Sequence, residues 1–362
     1  MKQLLRFLVQ GWRGNDITST GADRELDNSE QPRRPADAPR PVTRFDPDMP
    51  LLSAPDRSRP FISFVVVVHA MPEQARRTLH SLGVDYQRGV GREDYEVILV
   101  ENNSARVLGE SAAGDCNADV KYFLREETGS SPVPALNFGI QQARGTHIAC
   151  MIDGARLLSP GVINYMMTGV QLAGRAVVAV PGYHLGHKLQ QDAVADGYDE
   201  LVEAGLMNTI NWPEDGYRLF EIACFSGTCA GGYFKPIGES NCICVPRDLM
   251  LEVGGFEARF TETGGGQVNL DFYKRVVELK DTLLVVLPGE GSFHQFHGGV
   301  TTGRSPQRRQ DIMAAHFAQY REIRGGPYEP PRKRAVYLGA IPDSALKFVH
   351  RGAGKVIELN EL

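Results

Sequence analysis

The sequence predicts an α/β fold with a mostly parallel central sheet and helices on both faces. The run 61–68 is almost continuously apolar and rich in β-branched residues, which is typical of a strand covered on both faces. A second apolar run follows at 95–100, and an amphipathic segment that begins at Pro72 lies between them. Strand, helix and strand within about 40 residues indicate a right-handed crossover between parallel strands.

The same alternation of short apolar runs and helical patterns continues along the chain. We predict strands at 120–124, 147–152, 176–180 and 282–287, and helices from Pro134 to a stop at Gly145, at 247–253, at 268–279 and at 310–323. Strands that alternate with helices in this way are typical of a sheet with helices on both faces.

Composition and charge exclude several classes of protein. The chain has 362 residues, 42% of them hydrophobic, and a formal net charge of -5. This charge argues against a nucleic-acid partner. The six cysteines form no CxxC pair, which favours buried thiols in a reducing compartment over a zinc site. No apolar run reaches the ~20 residues needed to span a bilayer, so membrane association would be at most peripheral.

The first 60 residues differ in composition from the rest. Residues 13–60 are rich in Pro, Arg, Asp and Ser and have few large apolar side chains. Such a segment buries too little surface to offset its ordering entropy, so we predict a disordered N-terminal extension over 1–60. Within it, residues 1–12 have the pattern of either a frayed terminus or a short amphipathic helix at a membrane surface.

A lone carboxylate follows the predicted strand at 147–152. Asp153 stands directly after this strand, and the carboxyl ends of strands in open α/β sheets border the crevice where ligands bind. One hard oxygen ligand at such a place holds a divalent cation against a diphosphate. The layout predicts a site for a nucleotide-linked substrate. No G-x-G-x-x-G follows the first strand, which argues against a dinucleotide-binding dehydrogenase.

Five segments in the right order resemble motifs of the family 2 glycosyltransferases of the GT-A fold. They are the run 61–68, Val100-Glu-Asn-Asn-Ser104, Ala135-Leu-Asn-Phe-Gly139 with Ala143-Arg-Gly145, Met151-Ile-Asp-Gly-Ala-Arg-Leu-Leu-Ser-Pro160, and Val253-Gly-Gly-Phe-Glu-Ala-Arg-Phe260. The resemblance covers 61–302. It implies a GT-A fold with an acceptor-side insertion, and an inverting transfer of a sugar from a nucleotide-diphospho-sugar donor to a carbohydrate or other hydroxyl acceptor.

The resemblance also implies which residues bind the donor. Glu101 stands where the family places the acid that hydrogen-bonds the nucleotide base or ribose. The remaining donor-binding positions are Val68, His69, Asn137, Ile152, Asp153 and Arg156. Arg156 is expected to neutralise phosphate, since guanidinium forks pair well with phosphate oxygens.

A divalent metal, Mn²⁺ or Mg²⁺, is the implied cofactor. Asp153, His294 and His297 are its implied ligands, and we expect only one of the two histidines to reach the ion because their i, i+3 spacing points them differently. The family motif has a second carboxylate where this chain has Ala155. Fewer oxygen ligands imply weaker binding of the cation.

The catalytic base departs from the family pattern. Aligning Asp271, Phe272 and Arg275 on the family's helix places Asn269 over one member of its acidic pair. An amide does not take up a proton at neutral pH. Asp271 and Glu239 are therefore the predicted catalytic residues, with Glu262 as a further alternative. The departures at 155 and 269 also leave open a catalytically inactive nucleotide- or carbohydrate-binding protein.

Four segments follow from these assignments. They are a disordered extension (1–60), a nucleotide-sugar-binding half (61–180), an acceptor-binding half with the metal-site histidines (181–302), and a C-terminal helix and tail (303–362). By analogy with the family, we expect a cytoplasmic protein, at most peripheral at the inner face of the membrane, with a role in surface polysaccharide or glycoconjugate synthesis.

Overall fold

The described residues form twelve strands, which make up two sheets. The computed structural model describes residues 45, 46, 49, 51, 52, 61–127, 129–300 and 306–360. Its strands are β1 (Ile62–His69), β2 (Tyr95–Asn102), β3 (Val120–Arg125), β4 (His147–Met151), β5 (Arg156–Leu158), β6 (Ala176–Ala179), β7 (Gly182–Leu185), β8 (Ala223–Phe225), β9 (Cys242–Pro246), β10 (Leu283–Val286), β11 (Ser292–His294) and β12 (Val336–Tyr337).

The helices connect these strands and cover the main sheet. They are α1 (Pro72–Ser81), α2 (Glu110–Gly114), α3 (Val133–Gln142), α4 (Val162–Gly169), α5 (Gln190–Ala193), α6 (Glu200–Asn208), α7 (Arg247–Glu252), α8 (Val268–Val277), α9 (Pro306–Arg324) and α10 (Leu346–Asn360). Short 3-10 turns occur at Val194–Asp196, Gly216–Ile222, Gly227–Cys229, Thr263–Gly265 and Asp343–Ala345. The predicted extension at 1–60, including the pattern at 1–12, lies outside the described residues except for 45, 46, 49, 51 and 52.

The main sheet has eight strands in the order β12-β10-β6-β9-β4-β1-β2-β3. Its neighbours are parallel except that β9 runs antiparallel to both β4 and β6. The chain builds outward from β1 through β2 to β3, and then returns to place β4 on the other side of β1. This reversal is a topological switch point, and ligands of open α/β sheets bind in the crevice at such a point.

The core lies on both faces of the main sheet. Alternate residues of β1 divide between two hydrophobic clusters: Val65 and Val67 belong to one, and Phe64, Val66 and Val68 belong to the other. The predicted α/β class with a mostly parallel sheet covered on both faces is therefore confirmed. The first cluster also takes residues from the segments at 181–302 and 303–362, so these segments share one core with 61–180.

A second sheet of four strands, in the order β5-β11-β7-β8, was not predicted. Its members are only three or four residues long and come from positions as distant as 156 and 294. In β5 and β11, Leu158 pairs with Ser292 and Arg156 with His294. Short strands whose partners lie far away in sequence leave no periodic pattern to detect.

The C-terminal segment also contains more structure than the predicted helix and tail. α9 is confirmed with wider bounds than 310–323, but β12 extends the main sheet and α10 packs Phe348 into the first cluster. Gly145 differs as well, because α3 ends at Gln142 and Gly145 instead allows a close backbone approach to Phe61 and His147. Among the described helices, none has a stretch long and apolar enough to cross a bilayer.

Candidate functional site

Asp153 lies at the switch point, two residues beyond the end of β4. The backbone here passes very close to β1: Gly154 N donates to Val67 O at 2.8 Å, and a Cβ on Gly154 would lie 2.8 Å from that oxygen. Only glycine allows this approach. On the other side, Thr78 Oγ1 in α1 donates to Gly154 O at 2.6 Å. The turn that carries Asp153 is thus held between β1 and α1.

The turn also orients the Asp153 carboxylate. Its Oδ1 accepts a hydrogen bond from the backbone N–H of Ala155 at 3.0 Å. Ala155, which stands where the resemblance implies a second acid, is fully buried, and its carbonyl accepts from Gln295 N at 2.8 Å. One carboxylate oxygen is therefore fixed by the local turn, which leaves Oδ2 to face the late histidines.

Both late histidines contact Asp153. The distance from Asp153 Oδ2 to Nε2 is 2.8 Å for His294 and 3.5 Å for His297. The three candidate ligand atoms lie within 4.8 Å of one another. The expectation that only one imidazole reaches this point is wrong, because His294 ends β11 while His297 lies in the loop beyond it and turns back. The spacing of the two residues on a regular strand does not apply.

Charge and burial act in opposite directions on these three groups. Burial works to raise the pKa of Asp153, but the two imidazoles outweigh it and hold the pKa well below the usual range. For His297, burial opposes protonation, yet the carboxylate wins and its pKa is raised. For His294, which is almost inaccessible, burial dominates and lowers the pKa to about 4. The two histidines therefore differ: the carboxylate favours the protonated form of His297, whereas burial favours the neutral form of His294.

Arg156 lies beside this cluster, and part of its guanidinium has no hydrogen-bond partner. It stands directly opposite His294 in the second sheet, and cross-strand neighbours of this kind share a face. The side chain is buried, and its Nε and Nη1 atoms have no hydrogen-bond partner. Burial lowers the pKa of the guanidinium, while Asp153 and Glu239 act to raise it. A buried guanidinium with two free donors is costly unless an anion completes it.

Glu239 lies near Arg156 because of the antiparallel strand. β9 starts at Cys242, which pairs with Met151 at the end of β4, so the residues just before β9 lie next to those just after β4. Asn269 Nδ2 donates to Glu239 Oε2 at 2.7 Å and to Asn241 Oδ1 at 2.9 Å. The amide that replaces a family acid is therefore in contact with another carboxylate, and its own Oδ1 is buried without a partner.

The structure does not support Asp271 as a base. Its carboxylate is almost completely buried and is paired with two guanidiniums: Arg275 Nε at 2.8 Å, and Arg324 Nε at 2.5 Å and Nη2 at 2.8 Å. Arg275 also donates to the carbonyls of Val253 and Gly255, each at 2.8 Å. Asp271 joins α8, α9 and the 253–255 turn, and both of its oxygens are occupied by cations.

Two predicted donor-binding residues have internal roles instead. Glu101 is fully buried and accepts hydrogen bonds from Leu108 N, Gly109 N and Tyr122 Oη, so a nucleotide would have to compete with three donors. Asn137 uses both ends of its amide on Phe256, accepting from its N–H and donating to its carbonyl at 2.9 Å. Each side chain fastens a loop to the sheet.

The other predicted donor-binding residues border the crevice at the ends of β1 and β4. Val68 is buried in the second core cluster, and Ile152 is half-buried next to Asp153. His69 is exposed, with Nδ1 3.4 Å from the carbonyl oxygen of Asn102. Directly after β1, Ala70 has a φ of 57°, a left-handed conformation that is rare for alanine and that turns the chain away at the crevice.

Sequence analysis missed the residues behind the histidines. Gln190 of α5 and Glu203 of α6 are fully buried and contact the 294–296 segment. Burial raises the pKa of Glu203 to about 7, against the hydrogen bonds from Phe296 N and Tyr198 that favour its charged form. Both residues come from the irregular region after β7, where no motif or periodicity marks them.

Comparison with known proteins gives one family. Residues 63–238 match the sequence model of glycosyl transferase family 2. No curated protein matches the sequence.

Among solved structures, the chain is similar to TarS of S. aureus. A crystal structure of TarS is 11% identical with a TM-score of 0.44, over 73% of this chain and 42% of the TarS chain. TarS 1–349 in complex with UDP-GlcNAc is 13% identical with a TM-score of 0.45, over 72% of this chain and 66% of that one. The complex with UDP is 12% identical with a TM-score of 0.42, over 72% and 65%. The chain thus spans 42% of the first TarS chain.

The role of Asp271 is testable by substitution. We expect Asp271→Asn to lower the free energy of unfolding by about 3 kcal/mol, because it leaves Arg275 without its counter-charge and Arg324 with Glu257 alone. Chemical denaturation measures this. Asp281→Asn, which removes an exposed partner of Arg175, is the matched control and is expected to change stability by less than about 0.5 kcal/mol. A normally stable Asp271→Asn protein with a large loss of turnover would restore Asp271 as a base.

Proposed function

Because residues 63–238 match the sequence model of glycosyl transferase family 2, we propose that the chain transfers a sugar from a nucleotide-diphospho-sugar to an acceptor hydroxyl. The observation that carries the proposal is the cluster of Asp153, His294 and His297 at the switch point, with the unpaired guanidinium of Arg156 beside it. A carboxylate, two imidazoles and a free cation in one crevice match the demands of a diphosphate leaving group.

The three clustered side chains fit a divalent cation. One carboxylate oxygen and two imidazole nitrogens lie within 4.8 Å of one another. The lowered pKa values of Asp153 and His294 favour the forms that bind a metal, and His297, whose pKa is raised, would release its proton when the ion binds. Imidazole nitrogens favour a transition ion over Mg²⁺, so we propose Mn²⁺ rather than Mg²⁺. When bound, the ion would neutralise charge that develops on the departing diphosphate.

Arg156 compensates for the missing second carboxylate by acting on the diphosphate directly. Its Nε and Nη1 have donors to offer and lie where Asp153 and Glu239 both influence the guanidinium. A charge-assisted hydrogen bond to phosphate oxygens would complete those donors. The donor diphosphate would thus be held by a metal ion with three protein ligands and by the buried guanidinium of Arg156.

Glu239 is the proposed base of an inverting reaction. It is half-buried, close enough to Arg156 to affect its pKa, and hydrogen-bonded by the Asn269 amide at 2.7 Å. Asn269 positions the carboxylate, and Glu239 takes the proton from the acceptor hydroxyl as this attacks the sugar carbon opposite the leaving diphosphate. With Asp271 committed to two arginines, Glu239 is the stronger of the two predicted candidates.

An inactive binding protein is the competing function, favoured by Ala155 and Asn269. Calorimetry with UDP, GDP and dTDP, with and without Mn²⁺, separates the two functions when combined with hydrolysis of a panel of nucleotide sugars. Metal-dependent binding together with donor hydrolysis supports the transferase. Binding that ignores the metal, with no hydrolysis of any donor, supports the binding protein.

Loss of the carboxylate tests the metal site. We expect Asp153→Ala to abolish Mn²⁺-dependent nucleotide binding, because it removes the charged ligand that both histidines face. Titration calorimetry of the nucleotide that binds wild type, with Mn²⁺ present, measures the loss. Asp215→Ala, which removes an exposed carboxylate 3.7 Å from Arg88, is the control. An unchanged affinity in Asp153→Ala would remove Asp153 from the site.

The base is tested by an isosteric change. We expect Glu239→Gln to lower kcat by ~10² or more with little change in stability, because the amide keeps the shape but takes no proton. Steady-state kinetics with the donor that wild type hydrolyses gives kcat. Glu262→Gln, the other acid suggested by the sequence, is the matched variant. A full loss in Glu262→Gln with an active Glu239→Gln protein would transfer the role.

The contribution of Arg156 is separable from that of the metal. We expect Arg156→Met, which keeps the buried stem, to weaken nucleoside diphosphate binding by about tenfold or more, since charge-assisted hydrogen bonds contribute ~1.5–3 kcal/mol. Calorimetry with the diphosphate and with the corresponding nucleoside measures the difference between the two ligands. If Arg156→Met weakens binding of both ligands equally, the guanidinium does not contact the phosphates.

A further inference from the structure

We propose that Gln190 is a positioning residue that holds His294 in the Nδ1–H tautomer and so turns the Nε2 lone pair toward Asp153 and the metal. The proposal rests on the proposed function, since it assigns a role relative to that metal site. Gln190 is fully buried in α5, 104 residues before His294, and no motif of the sequence points to it.

The orientation of the Gln190 amide is determined by its acceptors. Its Nε2 lies 3.0 Å from the backbone carbonyl oxygen of His294 and 3.2 Å from Glu203 Oε2. A backbone carbonyl only accepts hydrogen bonds, so the atom facing it has to be the NH₂ group. The opposite assignment would place two oxygens against each other in a buried environment.

The tautomer of His294 follows from that orientation. With the NH₂ group so placed, Gln190 Oε1 is the atom 2.5 Å from His294 Nδ1. An amide oxygen accepts only, and therefore Nδ1 carries the hydrogen. In the neutral ring the lone pair then resides on Nε2, 2.8 Å from Asp153 Oδ2. Two acceptors that face each other at this distance are stable only with a cation or a proton between them.

The surroundings keep Gln190 in place. Its backbone N–H donates to His184 Nδ1 at 3.1 Å, and Glu203 is itself held by Tyr198 Oη at 3.0 Å and Phe296 N at 2.8 Å. Gln190 therefore has a fixed backbone, a fixed amide and a fixed partner. Histidine ligands of metals commonly donate their other ring N–H to such an outer partner, which sets the tautomer and the ring orientation.

Metal binding by matched variants tests this role. Gln190→Met keeps the length of the side chain and removes both polar atoms of the amide. Gln191→Met makes the same change at the next residue, whose side chain is half-buried and whose carbonyl accepts from Arg309. With Mn²⁺ alone as the probe, the electron paramagnetic resonance signal of free Mn²⁺ gives the Kd. We expect Gln190→Met to raise Kd ~10-fold or more and Gln191→Met to leave it unchanged.

A second measurement uses the wild-type protein and does not depend on any variant folding. Long-range ¹H–¹⁵N spectra of the metal-free, ¹⁵N-histidine-labelled protein distinguish the Nδ1–H, Nε2–H and doubly protonated rings. The His294 signals are identified by their loss in His294→Ala. At neutral pH we expect a hydrogen on Nδ1 of His294, either in the Nδ1–H ring or in the doubly protonated ring that places a proton between Nε2 and Asp153. An Nε2–H form in wild type overturns the proposal whatever the variants do.

The outcomes separate the two levels of the argument. If wild type does not bind Mn²⁺, the proposed metal site fails, and Gln190 loses the role that depends on it. If wild type binds and Asp153→Ala does not, the metal site stands. Gln190→Met then decides the inference: an unchanged Kd and an unchanged His294 tautomer overturn it, whereas a raised Kd with an altered tautomer supports it.

Discussion

The contact between the Asp153 carboxylate and two imidazoles organises this protein's candidate site. It requires Gly154 to pass within hydrogen-bond distance of Val67, a separation that any Cβ would prevent. It also requires the segment 294–297 to fold back over the end of β4. A buried polar or charged group is strongly stabilised when all its hydrogen-bond partners are present, and it is costly when one is missing. Such a cluster is therefore favourable only when every member has its partners. The fold around it supplies the missing partners from distant parts of the chain.

The second sheet performs much of this assembly. β5 leaves the switch point directly after the Asp153 turn, and its pairing with β11 sets Arg156 opposite His294. β7 then places His184 on the other side of His294, and the chain that follows delivers Gln190 and Glu203 behind it. The region that interrupts the α/β alternation thus builds the outer layer of the candidate metal site.

At the two positions where this chain departs from the family pattern, a neighbouring residue supplies a different charged group. Ala155 stands where the resemblance implies a negative charge, and Arg156 adds a buried positive one whose Nε and Nη1 have no hydrogen-bond partner. Asn269 stands where the resemblance implies an acid, and its amide contacts Glu239, which lies just before the antiparallel strand β9. Asp271, by contrast, has a carboxylate that is paired with two arginines, and these ion pairs join α8 to α9. A carboxylate that is already paired with guanidinium groups is not available as a base, so the pairing matters more than the residue type.

The sequence by itself determined the parallel strands β1, β2 and β4, the helices between them and the place of Asp153, because buried strands and strand-end acids are local patterns of polarity. It also indicated Arg156, Glu239 and the two histidines as candidate site residues, but not the contacts that they make. Only the tertiary structure decided that both imidazoles reach Asp153, that Asp271, Glu101 and Asn137 have internal partners, and that Gln190 and Glu203 stand behind His294. These contacts join residues up to 144 positions apart in the sequence. Pairings of that kind depend on the closure of the whole chain, and no local periodicity encodes them.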